Sequence, residues 1–368
     1  MNASPLLIRN IRLSSENGVS RIVADVDGMT VWYESSDVEM QRRGEIFACA
    51  FLLPSMKKGR GLRIEGVSLS PLWLANAQRL MKIFSEWWNY TTIEIICDSA
   101  CPAVETIAAH HTGLFFTGGV DSFYSLLFPK EQIDDLVYVH GFDVGVNDQK
   151  RFEDTRQHLA QVAAGMGRRL ILLKTNLREH PLIRAMEWTK AHGGALASAG
   201  YTLPGIGRMI ISSSDSGRLI VPMGTHPETD PLWSNDQLVL VHQGPEVSRR
   251  RKVKAIADHP LVMRHLRVCW KNAGRTSNCC RCEKCIRTML ILDSLGKLTS
   301  FEAFPSRRGL FWRACQISSI TPSSMRGYRS RLVTCPRWQT RLAMRIMMAR
   351  SWIRNQKKAM FSRKRNNR

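Results

Sequence analysis

The sequence predicts an α/β protein with a doubly wound parallel sheet, joined to a β-rich N-terminal domain, a cysteine-rich knuckle and a basic helical C-terminal region. Three observations lead to this prediction. Short apolar runs alternate with helical patterns between about residues 111 and 295, as in parallel sheets with crossover helices. A glycine-rich turn follows the first of these runs. A cluster of cysteines follows the last.

Residues 1–105 are predicted to form the N-terminal domain. The runs "RIVADV" and "MTVWYES" alternate apolar and polar side chains and meet at Asp27-Gly28, a dipeptide that tolerates the positive φ angles of a tight hairpin turn. A helical pattern, "LWLANAQRLMKIFSEWW", and a strand-like "IEIICD" follow. No group of catalytic residue types gathers in this region, so its role stays open.

Residues 106–298 are predicted to form the ligand-binding domain. Its strands are assigned to five apolar runs, "LFFT", "LVYVHGF", "LILLKT", "MIISSS" and "LIVPMGT". Ligands of doubly wound sheets bind beyond the carboxyl ends of the strands. The turns that follow these runs are therefore the first places in which to seek a site.

Residues 299–368 form a third region, which is helical and basic. The formal charge of the chain is +22, yet residues 325–368 hold 14 Lys and Arg and no acidic residue, leaving 39 basic against 31 acidic residues elsewhere. Leu342, Ile346, Ala349 and Ile353 recur at helical spacing, flanked by arginines at 341, 345, 350 and 354. Such a helix suits RNA, an acidic protein or an anionic surface; alternatively, its stripe closes the domain and its arginines stay solvated. The final "SRKRNNR" is expected to be disordered.

Composition indicates a globular protein. The chain has 368 residues, of which 44% are hydrophobic, so it can bury a core in two or three folding units. No stretch approaches the roughly 18 apolar residues that span a bilayer, and the N-terminus lacks the pattern of a secretory leader. The run "CCRCEKC" favours metal ligands in a reducing compartment over disulfides. We therefore expect a cytoplasmic protein without a transmembrane segment.

The glycine-rich turn "TGGVDS", residues 117–122, lies between the run "LFF" and an apolar helix that must end before Pro129. Adjacent glycines let the backbone approach a ligand closely, and a helix N-terminus favours anions. Asp121 suits Mg²⁺, which takes oxygen ligands and bridges to phosphate oxygens. The turn lacks the lysine of the GxxxxGK[ST] loop, so it is not an ATPase loop of that type. A strand and turn without a ligand is the alternative.

These residues resemble the SGGxDS signature of the PP-loop ATP pyrophosphatases, with Thr117 in place of the usual serine. The resemblance implies ATP bound on a doubly wound sheet, cleaved between the α and β phosphates, with AMP transferred to a substrate oxygen. Thr117, Gly118, Gly119, Val120, Asp121 and Ser122 would then bind the nucleotide. Asp121 and Ser122 would be the catalytic pair, with Asp121 holding Mg²⁺.

The cysteines form a second motif. Cys269, Cys279, Cys282 and Cys285 include a CxxCxxC spacing, and four thiolates at such short separations can close a tetrahedral Zn²⁺ site. Cys280 is left over, because adjacent residues cannot both reach one metal comfortably. A reactive-cysteine pair and an iron–sulfur cluster are the alternatives.

A PP-loop followed by this cysteine pattern is similar to the 7-cyano-7-deazaguanine synthase family of queuosine biosynthesis over about residues 111–295. The resemblance implies an ATP-dependent carbon–nitrogen ligase that adenylates a carboxylate and lets ammonia, or another nitrogen nucleophile, displace AMP. ATP, Mg²⁺ and Zn²⁺ are the implied cofactors, and a carboxylate-bearing acceptor is the implied partner. His140 and Gly141 lie where this fold usually meets adenine and ribose.

The sequence departs from that family where the substrate would bind, so the chemical identity of the carboxylate acceptor stays open. The segment "VPMGTHPETDPLWSND" lacks the aspartate-rich pattern expected where a deazapurine is held. Thr225, His226 and Asp230 follow an apolar run and are predicted, with Lys252, to line the substrate pocket. Lys252, Lys254 and Arg249 are also candidates for contact with the triphosphate; a solvated basic helix face is the alternative.

Two other functions compete with the ligase. A tRNA-modifying PP-loop enzyme would use the basic C-terminal region to bind RNA. An enzyme of this kind that transfers sulfur to tRNA would need a cysteine near the loop, and none lies between residues 102 and 268. A nucleotide-binding module of a larger assembly, such as a defence system, is the other alternative. The intact glycines, aspartate and serine of the loop favour an active ATP site.

Overall fold

We describe the chain from a computed structural model. It describes residues 4–98, 111–214, 220–269, 278–320, 325, 327–329, 332, 335 and 337–366, and for residues 357–366 the description covers the backbone alone. The chain divides into two compact units. The first comprises Met1–Thr117 with Ser125–Ser248, and the second comprises Gly118–Tyr124 with Arg249–Arg368.

The first unit is built on one large sheet of ten strands in the described residues, in the order β10-β9-β6-β7-β8-β3-β2-β1-β4-β5. The strands are β1 (Leu6–Glu16), β2 (Val19–Val26), β3 (Met29–Ser35), β4 (Leu62–Ile64), β5 (Ile95–Cys97), β6 (His111–Phe115), β7 (Asp135–His140), β8 (Arg169–Thr175), β9 (Ile206–Ser212) and β10 (Val239–Gln243). Parallel pairing joins β10, β9, β6, β7 and β8, and also β1, β4 and β5. The predicted α/β class with a mostly parallel sheet is therefore confirmed, and the architecture is compatible with a Rossmann-like fold.

The N-terminal strands belong to this same sheet. Val26 and Met29 pair across the predicted hairpin turn, where Asp27 and Gly28 both have positive φ, so the predicted hairpin is confirmed. β3 then pairs antiparallel with β8 through Tyr33 and Glu34. The boundary predicted near residue 105 lies outside the described residues.

One predicted strand is wrong. In the described part of "LIVPMGT", residues 220–225 form no strand, and the edge strand is β10 instead. Pro222 cannot donate to a strand ladder. The Gly224 N–H donates to the Thr189 carbonyl oxygen at 2.7 Å, which holds this segment against a helix and not in the sheet.

Helices of the first unit are α1 (Gly44–Lys58), α2 (Pro71–Trp88), α4 (Gln149–Gly165), α5 (Pro181–Arg184) and α6 (Trp188–Gly200); α3 (Val120–Leu127) begins in the second unit. α1 is buried almost throughout and packs closely on α6. A Cβ at Gly194 would overlap the Cys49 carbonyl oxygen, so the two backbones touch where glycine permits it.

The second unit contains α7 (Arg249–Ile256), α8 (Pro260–His265), α9 (Glu283–Ser294), α10 (Leu310–Gln316) and α11 (Trp338–Asn366) among its described residues. Its core joins α9, α10 and α11 through apolar side chains that include Ile286, Ala314 and Met347. α11 continues to Asn366 and so covers much of the segment expected to be disordered. No helix in the described part of the chain is long and apolar enough to cross a membrane.

Replacing Gly193 by alanine tests the packing of α6. Alanine has a higher helix propensity than glycine, so propensity alone favours the change. A Cβ at this position would overlap the Gly224 carbonyl oxygen, however, and backbone cannot move aside cheaply. We expect the free energy of unfolding, measured in urea, to fall by about 2 kcal/mol. Gly145→Ala, where nothing lies within 4 Å of the added Cβ, is the control; equal stability of both variants would contradict this packing.

Candidate functional site

The glycine-rich turn has the strand, turn and helix order that the sequence predicts. β6 ends at Phe115 and α3 begins at Val120. Gly118 has a φ of +71°, a left-handed conformation that favours glycine. The Phe123 N–H and the Ser122 hydroxyl both donate to the Gly119 carbonyl oxygen, at 2.9 and 3.2 Å. The turn is thereby fixed to the first turn of α3, with exposed Thr117 just before it in the chain.

Asp121, in the first turn of α3, pairs with two cations of α7. Arg249 Nη1 lies 2.6 Å from Asp121 Oδ2, and Lys252 Nζ lies 3.5 Å from Oδ1. The buried Oδ1 atom accepts no hydrogen bond from the described residues. Of the three basic candidates on α7, Arg249 and Lys252 thus reach the predicted loop, while Lys254 is exposed.

Lys252 is the most deeply buried of these groups, with 1% of its residue surface exposed. Its Nζ lies 5.7 Å from the ring centroid of Tyr124, which offers a cation–π contact beside the Asp121 carboxylate. The sequence predicts that Lys252 lines the substrate pocket. The structure places its ammonium group at the glycine-rich loop.

Arg287 of α9 adds a third cation that the sequence analysis missed. Its side chain is 13% exposed and lies 3.7 Å from Glu283, which accepts a hydrogen bond from the Tyr328 hydroxyl at 3.1 Å. Burial lowers the pKa of Arg287, and the positive charge of Arg249 lowers it further. No sequence pattern singles Arg287 out, because its i,i+4 spacing from Glu283 is common on helix surfaces.

We call these five ionic side chains, Asp121, Arg249, Lys252, Glu283 and Arg287, the loop charge cluster. Its three cations exceed its two carboxylates by one charge. Charges inside a protein interact more strongly than charges in water, so the excess favours an anion. The cluster is therefore suited chemically to bind phosphate.

The four predicted metal ligands lie together in the second unit. The sulfur atoms of Cys269, Cys279, Cys282 and Cys285 are all within 4.8 Å of one another, with separations of 3.9 Å for Cys269–Cys282 and 3.8 Å for Cys279–Cys285. Tetrahedral zinc with Zn–S bonds of about 2.3 Å places its sulfurs about 3.8 Å apart. Contacts with Cys282 and Cys285 lower the pKa of the Cys269 thiol, and contacts with Cys269 raise the pKa values of the Cys282 and Cys285 thiols. This cluster could hold zinc.

Asn278 fixes the two chain segments that carry the cysteines, and the sequence analysis missed it. Its buried side-chain oxygen accepts hydrogen bonds from the Val268 and Cys269 N–H groups at 2.9 and 3.1 Å. Its amide nitrogen donates to the carbonyl oxygens of Leu266 and Ala303, both at 2.8 Å. Asn278 therefore holds Cys269 in place next to Cys279.

Cys280 stands apart from the ligands, as its place in the sequence predicts. It has a φ of +53°, and its buried sulfur lies 3.4 Å from the Asn278 carbonyl oxygen. Burial raises the pKa of its thiol, which favours the neutral, unreactive form. Cys280 is thus a buried packing residue at a turn position that glycine would occupy without strain.

His140 and Gly141, predicted near the nucleoside, end β7 in the first unit. The His140 ring is buried, stacks on Phe152 at 4.2 Å between centroids and donates from Nε2 to the Gly145 carbonyl oxygen at 2.9 Å. Burial lowers its pKa, so the ring is held neutral. Gly141 has a φ of +109° and lets the backbone approach Thr175.

A cavity of about 850 Å³ opens in the first unit beyond the ends of β7 and β8. Gly141 and Thr175 line it, together with Asn147, Arg178 and Trp188. The guanidinium carbon of Arg178 lies 4.4 Å from the ring centroid of Trp188, so a cation and an aromatic face lie together at the cavity wall. The volume falls in the usual range of small-molecule pockets.

Thr225, His226 and Asp230 come together in the interior of the first unit. Thr225 Oγ1 lies 3.0 Å from His192 Nε2, and the His226 N–H donates to Asp230 Oδ1 at 3.1 Å. Asp230 Oδ2 accepts from His242 Nδ1 at 2.6 Å. These contacts give the three residues a hydrogen-bonding role within the unit; their contact with a substrate stays a prediction.

Zinc loading tests the cysteine cluster. We expect about one zinc ion per chain by plasma mass spectrometry, and we expect Cys282→Ser to lose it with a loss of several kcal/mol in the free energy of unfolding. Cys280→Ser is the matched control and should keep the metal, because Cys280 lies outside the ligand set. Iron with visible absorbance, or zinc retained by Cys282→Ser, would contradict the assignment.

Buried histidines predict that acid destabilises the protein. Burial lowers the pKa values of His140, His192 and His226 below the value of about 6.5 expected in the unfolded chain. The unfolded state therefore takes up more protons, and the stabilisation from the neutral rings is lost as pH falls below about 6.5. The free energy of unfolding, measured in urea between about pH 7 and pH 5, should fall as the pH falls. His192→Asn should make this slope shallower. An unchanged slope in that variant would contradict the contribution of His192.

Comparisons with known proteins identify no relative of this chain. No family model matches it, and neither a curated protein nor a solved structure shows a significant match. The glycine-rich turn, the loop charge cluster and the four cysteines are therefore the features that bear on function.

Proposed function

We propose that the protein is an ATP-dependent ligase that adenylates a carboxylate, releases pyrophosphate, and then exchanges AMP for a nitrogen nucleophile. One observation carries the proposal. The TGGVDS turn, which lacks the lysine of the GK[ST] loop, begins a helix whose Asp121 pairs with Arg249 and Lys252 and interacts electrostatically with Arg287. The resemblance to the 7-cyano-7-deazaguanine synthase family agrees with this reading.

Three cations and a helix N-terminus support triphosphate binding at the loop. The backbone of Gly118 and Gly119 has no side chain to block a close approach, and the dipole of α3 adds positive potential. Arg249 Nε donates to none of the described residues, so the guanidinium retains a donor for phosphate. Arginine binds phosphate oxygens through a planar fork of donors, and Lys252 supplies a compact charge.

Asp121 supports a Mg²⁺ site at the same loop. Its buried Oδ1 accepts no hydrogen bond from the described residues, and Mg²⁺ prefers carboxylate and phosphate oxygens. Bound Mg²⁺ would offset the charge of the triphosphate. Arg249 and Lys252, which pair with Asp121 in the structure, would then turn to phosphate oxygens and leave the carboxylate to the metal.

The four cysteines would hold zinc in a structural role. Cys282 immediately precedes α9, and Cys285 lies in its first turn. The same helix carries Glu283 and Arg287, two members of the loop charge cluster. Zinc at the cysteines would therefore fix the start of α9 and, with it, the position of Arg287 relative to Asp121.

The chemistry needs positioning and charge stabilisation more than acid–base groups. An acceptor carboxylate oxygen attacks the α phosphorus, and the bond to the bridging oxygen of pyrophosphate breaks. A nitrogen nucleophile then attacks the acyl carbon, and AMP leaves with the carboxylate oxygen. Cations that face the developing charge on phosphate stabilise such transition states. Arg249, Lys252 and Arg287 are the residues that we propose for that task.

The cavity in the first unit supports binding of a planar ligand. The Trp188 face and the Arg178 guanidinium at its wall suit an aromatic ring that carries a negative group. Its polar lining from Asn147 and Glu179, which are joined by a hydrogen bond of 3.1 Å, suits a ring with nitrogen donors and acceptors. A heteroaromatic carboxylic acid or the adenine nucleoside fits this chemistry.

Turnover tests the ligase directly. The zinc-loaded protein is incubated with ATP, Mg²⁺, ammonium and a panel of heteroaromatic carboxylic acids that includes 7-carboxy-7-deazaguanine. We expect AMP and pyrophosphate to form in equal amounts, and only when a suitable acid is present. ADP and phosphate as the only products would contradict the proposal.

Nucleotide binding tests the loop independently of the acceptor. We expect α,β-methylene-ATP with Mg²⁺ to bind the wild type, and Asp121→Asn or Arg249→Gln to weaken binding about tenfold or more, because each removes a charged contact. Asp258→Asn removes a carboxylate that is 70% exposed and should bind normally. Equal affinity in all four proteins, by titration calorimetry, would place the nucleotide away from this loop.

A further inference from the structure

The C-terminal helix α11 has two apolar faces, and only one of them is buried. Ala343, Met344 and Met347 pack in the core of the second unit. On the same side, Thr340 donates to Asp293 of α9 at 2.8 Å, and Ser351 accepts from the Ile320 N–H at 3.3 Å. These contacts fix which side of α11 faces inward.

The opposite face carries large apolar side chains into solvent. Trp338, Leu342, Trp352 and Ile353 are 64, 40, 62 and 47% exposed, and they follow one another at helical spacing around the exposed Ala349. With Ala349, this set includes three of the four residues of the stripe that the sequence predicts, namely Leu342, Ala349 and Ile353. We call it the outer stripe. A contiguous row of apolar side chains is unfavourable in contact with water, so the continuity of this row indicates a surface that binds a partner.

Exposed arginines lie beside and within the outer stripe. Arg341 lies along one edge and Arg350 lies beyond the other, while Arg345 lies within the stripe, between Trp352 and Trp338. Arg354 lies farther round the helix, where its Nη1 donates to the Ser318 hydroxyl at 3.4 Å. No salt bridge among the described residues involves these arginines. The chain from residue 303 to residue 368 contains 17 Lys and Arg and no Asp or Glu. The face therefore presents apolar side chains within a strongly positive field.

We propose that the outer stripe of α11 binds the surface of an anionic lipid membrane. A helix that lies in the plane of the interface buries its apolar side among the acyl chains and pairs its flanking cations with lipid phosphates. Tryptophan is favoured at the level of the headgroups. The outer stripe supplies both the tryptophans and the cations, since Trp338 and Trp352 stand at its two ends and Arg341, Arg345 and Arg350 lie beside or within it.

The aliphatic members of the stripe favour lipid over nucleic acid. A nucleic-acid surface would use the arginines and could stack on Trp338 and Trp352, but it offers no apolar phase for Leu342 and Ile353. Lipid accommodates all four side chains at once. α11 is not apolar enough to span a bilayer, so the proposal concerns the surface alone. It does not depend on the proposed ligase activity.

Vesicle flotation with the full chain tests the proposal. Phosphatidylcholine vesicles are compared with phosphatidylcholine vesicles that contain phosphatidylserine. The stripe variant is Trp338→Ser/Leu342→Ser/Trp352→Ser, and its control is Leu72→Ser, which removes an exposed leucine of α2. The charge variant is Arg341→Gln/Arg345→Gln/Arg350→Gln. Its control, Lys58→Gln/Arg79→Gln/Lys82→Gln, removes the same charge from exposed positions of the first unit.

We expect binding only to vesicles with phosphatidylserine. The charge variant should lose about fivefold in affinity for each arginine removed, and the stripe variant at least about tenfold in total. Both controls should bind as the wild type does, and circular dichroism and thermal unfolding should show that every variant is folded.

Three outcomes would overturn the proposal. The first is no vesicle binding by the wild type, and the second is full binding by a folded stripe variant, which would leave only a general charge effect. The third comes from a parallel assay with single-stranded RNA. If the stripe variant loses RNA affinity but keeps its vesicle affinity, the face is a nucleic-acid surface.

Discussion

The pairing of Asp121 with Arg249 and Lys252 is the interaction on which the account of the site depends. An ammonium group as deeply buried as that of Lys252 costs several kcal/mol in free energy unless an opposite charge lies beside it. Asp121 supplies that charge at 3.5 Å and holds Arg249 at 2.6 Å. The carboxylate that would hold Mg²⁺ in the proposed function is therefore also the partner that stabilises these two cations in the structure.

The cysteines extend the same arrangement along α9. Cys282 and Cys285 lie at the start of the helix, where bound zinc would fix it, and Asn278 fixes the segment that brings Cys269 to them. Glu283 and Arg287 lie on the same helix. In the proposed function, metal binding and phosphate binding would thereby be linked through one short helix. Losing the metal would then disturb the loop charge cluster without removing any of its side chains.

Local spacing explains what the sequence could predict. The Asp27-Gly28 hairpin, the TGGVDS turn and the four cysteines are each set by residues close in the chain, and the structure has the hairpin, the turn and the cysteine cluster where they are expected. Long-range contacts explain the rest. α1 is apolar on every side, so its sequence shows no helical period. The strand predicted for "LIVPMGT" is wrong because the backbone around Gly224 packs on α6. The pairing of β3 with β8, the position of Arg287 and the outward face of α11 all depend on distant partners.

Oxygen labelling tests the central claim most directly, because it follows the atom that attacks phosphorus. The acceptor acid carries ¹⁸O in its carboxylate, and the products of ATP turnover are analysed by mass spectrometry. Adenylation predicts one ¹⁸O in the released AMP and none in pyrophosphate, since the attacking oxygen stays bonded to the α phosphorus. AMP without the label would show that water or another group attacks, and labelled phosphate alongside ADP would show cleavage at the γ phosphate. Either result would contradict the assignment of the TGGVDS loop to carboxylate adenylation.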